Sequence, residues 1–164
     1  MDPAGIVDVH YPPSGGARAA LLLASGPDFA DVTGERVAEL PEVEPYEPGR
    51  FYRRELPPLR AVLAGVRLSL LVVDGYVDLA PDRPGLGAHC HAEFGVPVVG
   101  IAKTSFHGAT HAIPVLRGAA TKPVWVTAAG LPAAEAAGIV LAMAGAYRLP
   151  DAVRRVDALA RGRA

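Results

Sequence analysis

Hydrophobic residues occur along this chain in two arrangements, as short apolar runs and as apolar positions three or four residues apart. The apolar runs, and a weaker alternation over residues 31–40, predict β-strands at residues 4–10, 17–24, 31–40, 68–73, 97–101 and 123–127. The spacing of three or four predicts helices at residues 51–63, 87–94, 132–147 and 150–161.

Glycine and proline mark the connections between these elements. Gly15-Gly16 predicts a turn that folds the second strand back on the first, so the chain begins with an antiparallel hairpin. After the third strand, Pro41, Pro45 and Pro48 interrupt regular structure. Strands and helices then alternate, which is typical of parallel β-α units. We therefore predict an α/β fold, a mixed sheet with helices on both faces.

The composition limits the class of protein. The 164 residues are expected to form a single domain, 1–164, because this length can enclose one full hydrophobic core. With 51% hydrophobic and 20% charged residues, and with 16 prolines and 18 glycines, the chain is neither disordered nor a coiled coil. The formal net charge is -1, so the chain lacks the large excess of basic residues that many nucleic-acid-binding domains have. This net charge is compatible with a local basic patch.

The sequence also bears on the compartment. The single cysteine, Cys90, excludes an intramolecular disulfide framework and a zinc site with several thiolates. The N-terminal residues lack the basic segment and apolar run of a signal peptide, and the longest uncharged stretch, within residues 122–135, is too short and interrupted to span a bilayer. We expect a cytoplasmic protein with no membrane partner.

Three acids occur in segments that are otherwise predicted to be buried. Asp8 lies in the first strand, Glu55 in the first helix, and Asp74 at the end of the run 68–73. An unpaired carboxylate in such surroundings is costly, so a compensating partner is expected. The three carboxylates could bind Mg²⁺ for in-line phosphoryl displacement, with the metal stabilising the attacking water and the leaving oxygen. Alternatively, Asp8 and Asp74 cap turns and Glu55 forms a surface ion pair.

Basic and aromatic residues suggest contacts with a substrate. Lys103 follows a buried strand directly and so belongs to the carboxyl edge of the sheet, where α/β proteins commonly bind ligands. Tyr46 stands between prolines that stiffen its loop, which suits either stacking on an unpaired base or packing in the core. Three arginines lie close by in the sequence, Arg50, Arg53 and Arg54. They are expected either to contact phosphates or to form a solvated face of the helix.

The histidines give little support to a transition-metal site. Four of them, His89, His91, His107 and His111, fall in one segment, but they lack the spacing of a ligand triad. We interpret them as surface histidines, with His89 as a candidate neighbour of the active site.

Several short motifs, in order, resemble the endonuclease V family over almost the whole chain. They are Val7-Asp8-Val9, Pro45-Tyr46-Glu47-Pro48-Gly49, Phe51-Tyr52-Arg53-Arg54-Glu55, Val72-Val73-Asp74-Gly75, Leu86-Gly87-Ala88-His89, residues 96–103 and Tyr147-Arg148-Leu149-Pro150. The resemblance implies a ribonuclease H-like fold and Mg²⁺-dependent (or Mn²⁺-dependent) cleavage of DNA or RNA near deoxyinosine or inosine.

The resemblance also assigns roles to residues of this chain. It implies that Asp8, Glu55 and Asp74 are catalytic acids that bind the metal and that Lys103 lies near the scissile phosphate. It implies a substrate-binding wedge loop that separates strands beside the lesion, made of Pro45, Tyr46, Glu47, Pro48 and Gly49. Gly75 and His89 are expected to contact the substrate as well.

Two positions depart from the family pattern. Ala129 aligns with a family histidine that is the fourth catalytic residue, and Glu135 either restores an acid there or favours a helix N-terminus. Val77 aligns with a glycine of the hypoxanthine pocket. We therefore expect weak or poorly selective action on inosine. The leading hypothesis is a metal-dependent endonuclease, and the alternative is a non-catalytic or repurposed relative that binds a nucleotide or nucleic acid.

Overall fold

The computed structural model describes residues 1–48, 50 and 52–163. The strands found there are β1 (Ala4–His10), β2 (Ala17–Ala24), β3 (Val32–Leu40), β4 (Leu70–Asp74), β5 (Asp78–Ala80), β6 (Arg83–Pro84), β7 (Val98–Ala102), β8 (Ile113–Val115) and β9 (Val124–Ala129). The helices are α1 (Tyr52–Leu63), α2 (Leu86–Phe94), α3 (Ala133–Ala142) and α4 (Asp151–Ala160).

A seven-stranded sheet in the order β3-β2-β1-β4-β7-β9-β8 forms the centre of the fold. β2 is antiparallel to both β1 and β3, and the β1–β2 hairpin pairs Ala4 with Ala24 and His10 with Arg18. β1, β4 and β7 are parallel, whereas β9 is antiparallel to both β7 and β8. β5 and β6 form a separate two-stranded ribbon.

Each face of the sheet buries its own hydrophobic core, because successive strand residues point to opposite faces. On one face, Ile6 and Val72 pack in a cluster that includes the buried residues of α3 and α4. On the other face, Val7 and Val73 pack in a cluster that includes buried residues of α1 and α2. The strands β4 and β7 are buried on both sides, which accounts for their continuous apolar runs.

This architecture confirms the predicted mixed sheet with helices on both faces, and it adds one feature. The parallel part consists of β1, β4 and β7, and β9 then runs in the opposite direction. A parallel connection needs a crossover, usually a helix, whereas the described segment between β7 and β9 contains only the short strand β8. The carboxyl end of β9 therefore lies at the edge of the sheet where β7 begins.

The helices differ from the predictions mainly at their ends. Phe51, the predicted first residue of the first helix, lies outside the described residues. The helix predicted over 132–147 ends at Ala142, and residues 143–150 form an irregular connection to α4. No helix of the described residues has both the length and the apolar character that crossing a membrane would require.

Candidate active site

The carboxyl edge of the parallel strands carries two acids and a lysine. Ile6 of β1 pairs with Val72 of β4, and two residues further along these strands are Asp8 and Asp74. Lys103 follows β7 directly, and its Nζ lies 3.3 Å from Asp74 Oδ2. The parallel register thus brings Asp8, Asp74 and Lys103 to the same edge of the sheet, as the sequence predicted for Lys103.

Two helices add acids to this edge from opposite faces of the sheet. α1 presents Glu55, which is only 8% exposed, and α4 presents Asp157. Both side chains line the same cavity of about 320 Å³ as Asp8, Asp74 and Lys103. The structure therefore brings the three predicted catalytic acids together and adds a fourth carboxylate that the sequence analysis missed.

The crowding of these acids changes their titration. Burial, and then the charge of Asp74 and the hydrogen bond and charge of Asp157, raise the pKa of Asp8 to about 7. Burial, followed by the charges of Asp8 and Asp74, raises the pKa of Glu55 to about 8. Both shifts arise from desolvation and from repulsion between carboxylates, and the charge of Arg54 offsets only part of the shift of Glu55.

Asp157 accepts the hydrogen bond of the Asp8 carboxyl group. Although burial opposes the change, hydrogen bonds with Arg161 and Asp8 and the charges of Arg161 and Lys103 lower the pKa of Asp157. The guanidinium Nε of Arg161 lies 3.1 Å from Asp157 Oδ1. Within this pair the pKa of Asp8 is raised and that of Asp157 is lowered, so Asp8 is the more readily protonated of the two.

The chemistry of the donor set fits a hard divalent cation. Carboxylate oxygens are the ligands that Mg²⁺ and Mn²⁺ prefer, and a cation would offset the repulsion that raises the pKa values of Asp8 and Glu55. Among the described residues, no three His, Cys, Asp or Glu side chains lie close enough to one another to hold a metal ion. The metal-binding role of Asp8, Glu55 and Asp74 stays a prediction.

A second cavity, of about 480 Å³, adjoins the carboxylate cavity and shares Asp74 and Leu86 with it. Its walls are largely aromatic and apolar, and they include Tyr46, Tyr52, Tyr76, Leu79 and Phe106. Gly75 lines it too and has a φ of 114°, a conformation that favours glycine. This volume and mixture of groups are typical of a small-molecule or base pocket.

The predicted wedge loop reaches this second cavity through Tyr46. Tyr46 is 60% exposed and lines the cavity, which excludes the alternative that it packs in the core. Pro45, Glu47 and Pro48 are exposed, and Glu47 lies 3.8 Å from Arg50. Gly49 lies outside the described residues. The substrate-binding role of the loop stays a prediction.

His89 supports a wall of the second cavity. Its ring stacks on the ring of Tyr52, with 3.7 Å between the centroids and 17° between the planes. Tyr52 lines the cavity, and burial lowers the pKa of His89. His89 therefore lies behind a wall residue, and its predicted contact with substrate stays a prediction.

Ala129 does not belong to the carboxylate site, and the prediction that it is the fourth catalytic position is wrong. Because β9 is antiparallel to β7, Ala129 pairs with Val98 at the start of β7, about 17 Å along the strand from Lys103 at ~3.3 Å per residue. Glu135 is exposed in the first turn of α3, which follows β9, so it does not restore an acid to the site.

Val77 does not obstruct the second cavity, contrary to the sequence-based expectation. Its side chain is fully buried in the core beneath α2. A Cβ on Gly87 would lie 2.7 Å from Val77 Cγ2, so the two residues pack closely. The backbone N–H of Val77 donates to Thr127 Oγ1 at 2.8 Å. Neither Val77 nor Ala129 therefore gives a reason to expect loss of activity.

Asp157 and Tyr11 are the main site residues that sequence reasoning missed. A signal existed for Asp157: it lies four residues after Val153 and three before Ala160, on the buried stripe of α4. Tyr11 lines the carboxylate cavity with its ring beneath Arg54, 3.8 Å from the guanidinium carbon to the ring centroid. Its position directly after the predicted strand 4–10 gave no comparable signal.

Sequence comparisons with known proteins agree on one family. The profile of the Endonuclease V family matches residues 4–125. Endonuclease V of Streptomyces coelicolor is 33% identical over 181 aligned positions, which cover 94% of this chain and 76% of that protein. Endonuclease V of Azotobacter vinelandii is 32% identical, with 96% of this chain and 81% of that protein covered.

Solved structures give the same result for the fold. The crystal structure of Endonuclease V from Streptomyces avermitilis matches with a TM-score of 0.81 at 31% identity and covers 99% of this chain and 81% of its own. The structure of Ciona intestinalis Endonuclease V matches with a TM-score of 0.79 at 16% identity, and the match covers 98% of this chain and 85% of that one. That structure is a complex with a 24mer DNA containing an inosine followed by a ribo-adenosine. These neighbours confirm the ribonuclease H-like fold. The chain therefore belongs to the Endonuclease V family of nucleases.

Proposed function

We propose that this chain is a divalent-metal-dependent endonuclease that hydrolyses a phosphodiester bond in DNA or RNA near a deaminated base, inosine or deoxyinosine. The observation that carries the proposal is the pair of adjoining cavities. One is lined by four carboxylates and Lys103, and the other by aromatic side chains, with Asp74 between them. A phosphodiester in the first cavity would have its neighbouring base within reach of the second.

The residues of the first cavity suit hydrolysis. Asp8, Glu55 and Asp74, with Asp157, would hold Mg²⁺ or Mn²⁺, which supplies Lewis-acid stabilisation of charge on the phosphate oxygens. The attacking water must lose a proton, which a carboxylate of this cavity would accept. Lys103 places a positive charge at the rim, where it can contact a phosphate oxygen.

The second cavity suits a base that has left the stack. Aromatic side chains stabilise an extruded base by stacking, at ~1 to 3 kcal/mol per base, and Tyr46 stands at the mouth to fill the space it vacates. Gly75 lets backbone approach the base closely, because it carries no side chain. The relative from Ciona intestinalis, which was solved with inosine-containing DNA, supports nucleic acid as the partner.

A cleavage assay tests the proposal. Single-stranded and duplex DNA and RNA oligonucleotides, each with and without one inosine, are incubated with the full chain in EDTA, Mg²⁺ or Mn²⁺. We expect metal-dependent cleavage that favours inosine, and a loss of at least about 100-fold in rate for Asp74→Asn and Asp157→Asn, since each removes a charge from the metal and water site. Glu135→Gln is the matched control and should leave the rate unchanged. Equal cleavage of all substrates would refute base recognition, and full activity in EDTA would refute the metal dependence.

A further inference from the structure

Arg148 ties three separate backbone segments together beside the active site. Its guanidinium donates hydrogen bonds to the carbonyl of Lys103, to that of Pro123 at 2.8 Å and to that of Lys122 at 3.2 Å. Arg148 belongs to the connection between α3 and α4, in the sequence Tyr147-Arg148-Leu149-Pro150. One side chain therefore joins this connection to the end of β7 and to the residues that lead into β9.

The bond to Lys103 matters because the sheet does not hold this residue. The β7–β9 ladder ends with the pair Ala102 and Trp125, so Lys103 lies one residue beyond it. Its side chain is 40% exposed, and a lysine ammonium on a flexible four-carbon stem has no fixed position unless its backbone is held. Its ammonium is nevertheless placed beside Asp74, at 3.3 Å.

We propose that Arg148 is a positioning residue, which fixes the backbone of Lys103 so that the Lys103 ammonium stays beside Asp74 and at the rim of the carboxylate cavity. The expected effect on kcat rests on the proposed function. The placement of Lys103 beside Asp74 can be tested without catalysis. Arg148 is absent from the described lining of both cavities, and it acts through Lys103.

The chain offers a matched control in Arg117. This arginine also donates to three carbonyls, those of Met143 at 2.5 Å, Tyr147 at 2.7 Å and Gly145 at 3.1 Å. It supports the same α3–α4 connection but makes no hydrogen bond to Lys103. If Arg148 were merely structural, Arg148→Gln and Arg117→Gln would have the same kind of effect.

A double-mutant cycle separates positioning from general stability. Arg148→Gln is expected to lower kcat for cleavage of an inosine oligonucleotide about 10-fold, with KM changed less than about 2-fold, at a temperature where every variant is folded. In a Lys103→Ala background the same change should cost less than about 2-fold, because the group it positions is gone. Arg117→Gln should lower Tm with kcat preserved. If Arg148→Gln lowers kcat by the same factor in the Lys103→Ala background as in the parent chain, the inference is overturned.

Lysine NMR tests the geometry even if no substrate is cut. The sequence contains two lysines, Lys103 and Lys122, so reductive methylation with ¹³C-formaldehyde gives two side-chain signals, which Lys103→Arg assigns. Asp74→Asn should move the Lys103 signal, and this response should fall by at least half in both Arg148→Gln and Arg148→Lys but persist in Arg117→Gln. An undiminished response in the Arg148 variants would overturn the inference, whereas a lost response in a chain that cuts nothing would contradict only the proposed function.

Discussion

The substitution Glu55→Gln tests the electrostatic strain that the fold places on its active site. Glu55 is 8% exposed, and burial together with the charges of Asp8 and Asp74 raises its pKa from 4.5 to about 8. When the pKa of a carboxyl group is higher in the folded state than in the unfolded state, the group stabilises the folded protein. This stabilisation is complete only at a pH below the pKa of the unfolded state. That contribution is lost as the pH rises through the folded pKa. The metal-free protein should therefore become less stable from pH 5 to pH 8.

The size of this effect follows from the pKa difference. Over that range the folded state keeps a proton that the unfolded state releases, which costs about 1.4 kcal/mol for each pH unit. Glu55 alone thus removes on the order of 3 kcal/mol of unfolding free energy between pH 5 and pH 8. For a domain of this length, that corresponds to a fall in Tm of roughly 6 to 12 °C. Asp8, with a pKa of about 7, contributes with the same sign.

Glutamine cannot ionise, so Glu55→Gln should flatten this profile. The assay is thermal and urea unfolding followed by circular dichroism, in EDTA, at several pH values from 5 to 8. Relative to the parent chain, the unfolding free energy of the variant should rise by on the order of 3 kcal/mol between pH 5 and pH 8. Glu93→Gln is the control, because the hydrogen bond from Arg60 lowers the pKa of Glu93 below its ordinary value of 4.5. This carboxyl group is therefore largely ionised in both the folded and the unfolded state from pH 5 to pH 8, and its loss should leave the slope of the profile unchanged. Parallel profiles for Glu55→Gln and the parent chain would refute the assigned charge state of the site.

Three further predictions concern the metal and the two corrected positions. Mg²⁺ at about 100 times its Kd should stabilise the parent chain by ~2.7 kcal/mol in a thermal shift assay and should have a much smaller effect on Asp8→Asn; equal shifts would count against the carboxylate site. Val77→Gly should destabilise the fold by about 2 to 4 kcal/mol in urea unfolding without improving the selectivity for inosine, since Val77 is core; a gain in selectivity would return it to the pocket. Ala129→His should change the cleavage rate less than about 2-fold, because the residue lies ~17 Å along the strand from Lys103; a large increase would contradict the strand direction.

Much of the fold could be predicted because apolar runs and turn residues are local signals. The first hairpin followed from two apolar segments around Gly15-Gly16, and the structure has the same strands, β1 and β2. The direction of β9 could not be predicted in the same way. A strand buried on both faces has a continuous apolar run whether its neighbours are parallel or antiparallel, so the run of residues 123–127 contains no information on direction.

The position of a strand end decides which residues can share a site, so the antiparallel direction of β9 overturns the alignment of Ala129 with the family histidine. A residue that follows a parallel strand reaches the carboxyl edge of the sheet, as Lys103 does. A residue at the end of an antiparallel neighbour reaches the opposite edge, as Ala129 does. Asp8, Glu55 and Asp74 were predictable because each is an acid in an apolar segment, which is costly without a compensating role.

Asp157 shows why the fourth carboxylate comes from a helix. The ends of β1 and β4 supply Asp8 and Asp74 at the sheet edge, and the two layers of helices approach this edge from opposite faces. α1 contributes Glu55 from one layer, and α4 contributes Asp157 from the other, where it accepts a hydrogen bond from Asp8. Each of these acids interrupts an element that would pack better with an apolar residue there. Such local conflicts are retained where function requires them, and the same repulsion that destabilises the metal-free fold would favour a bound cation at this edge.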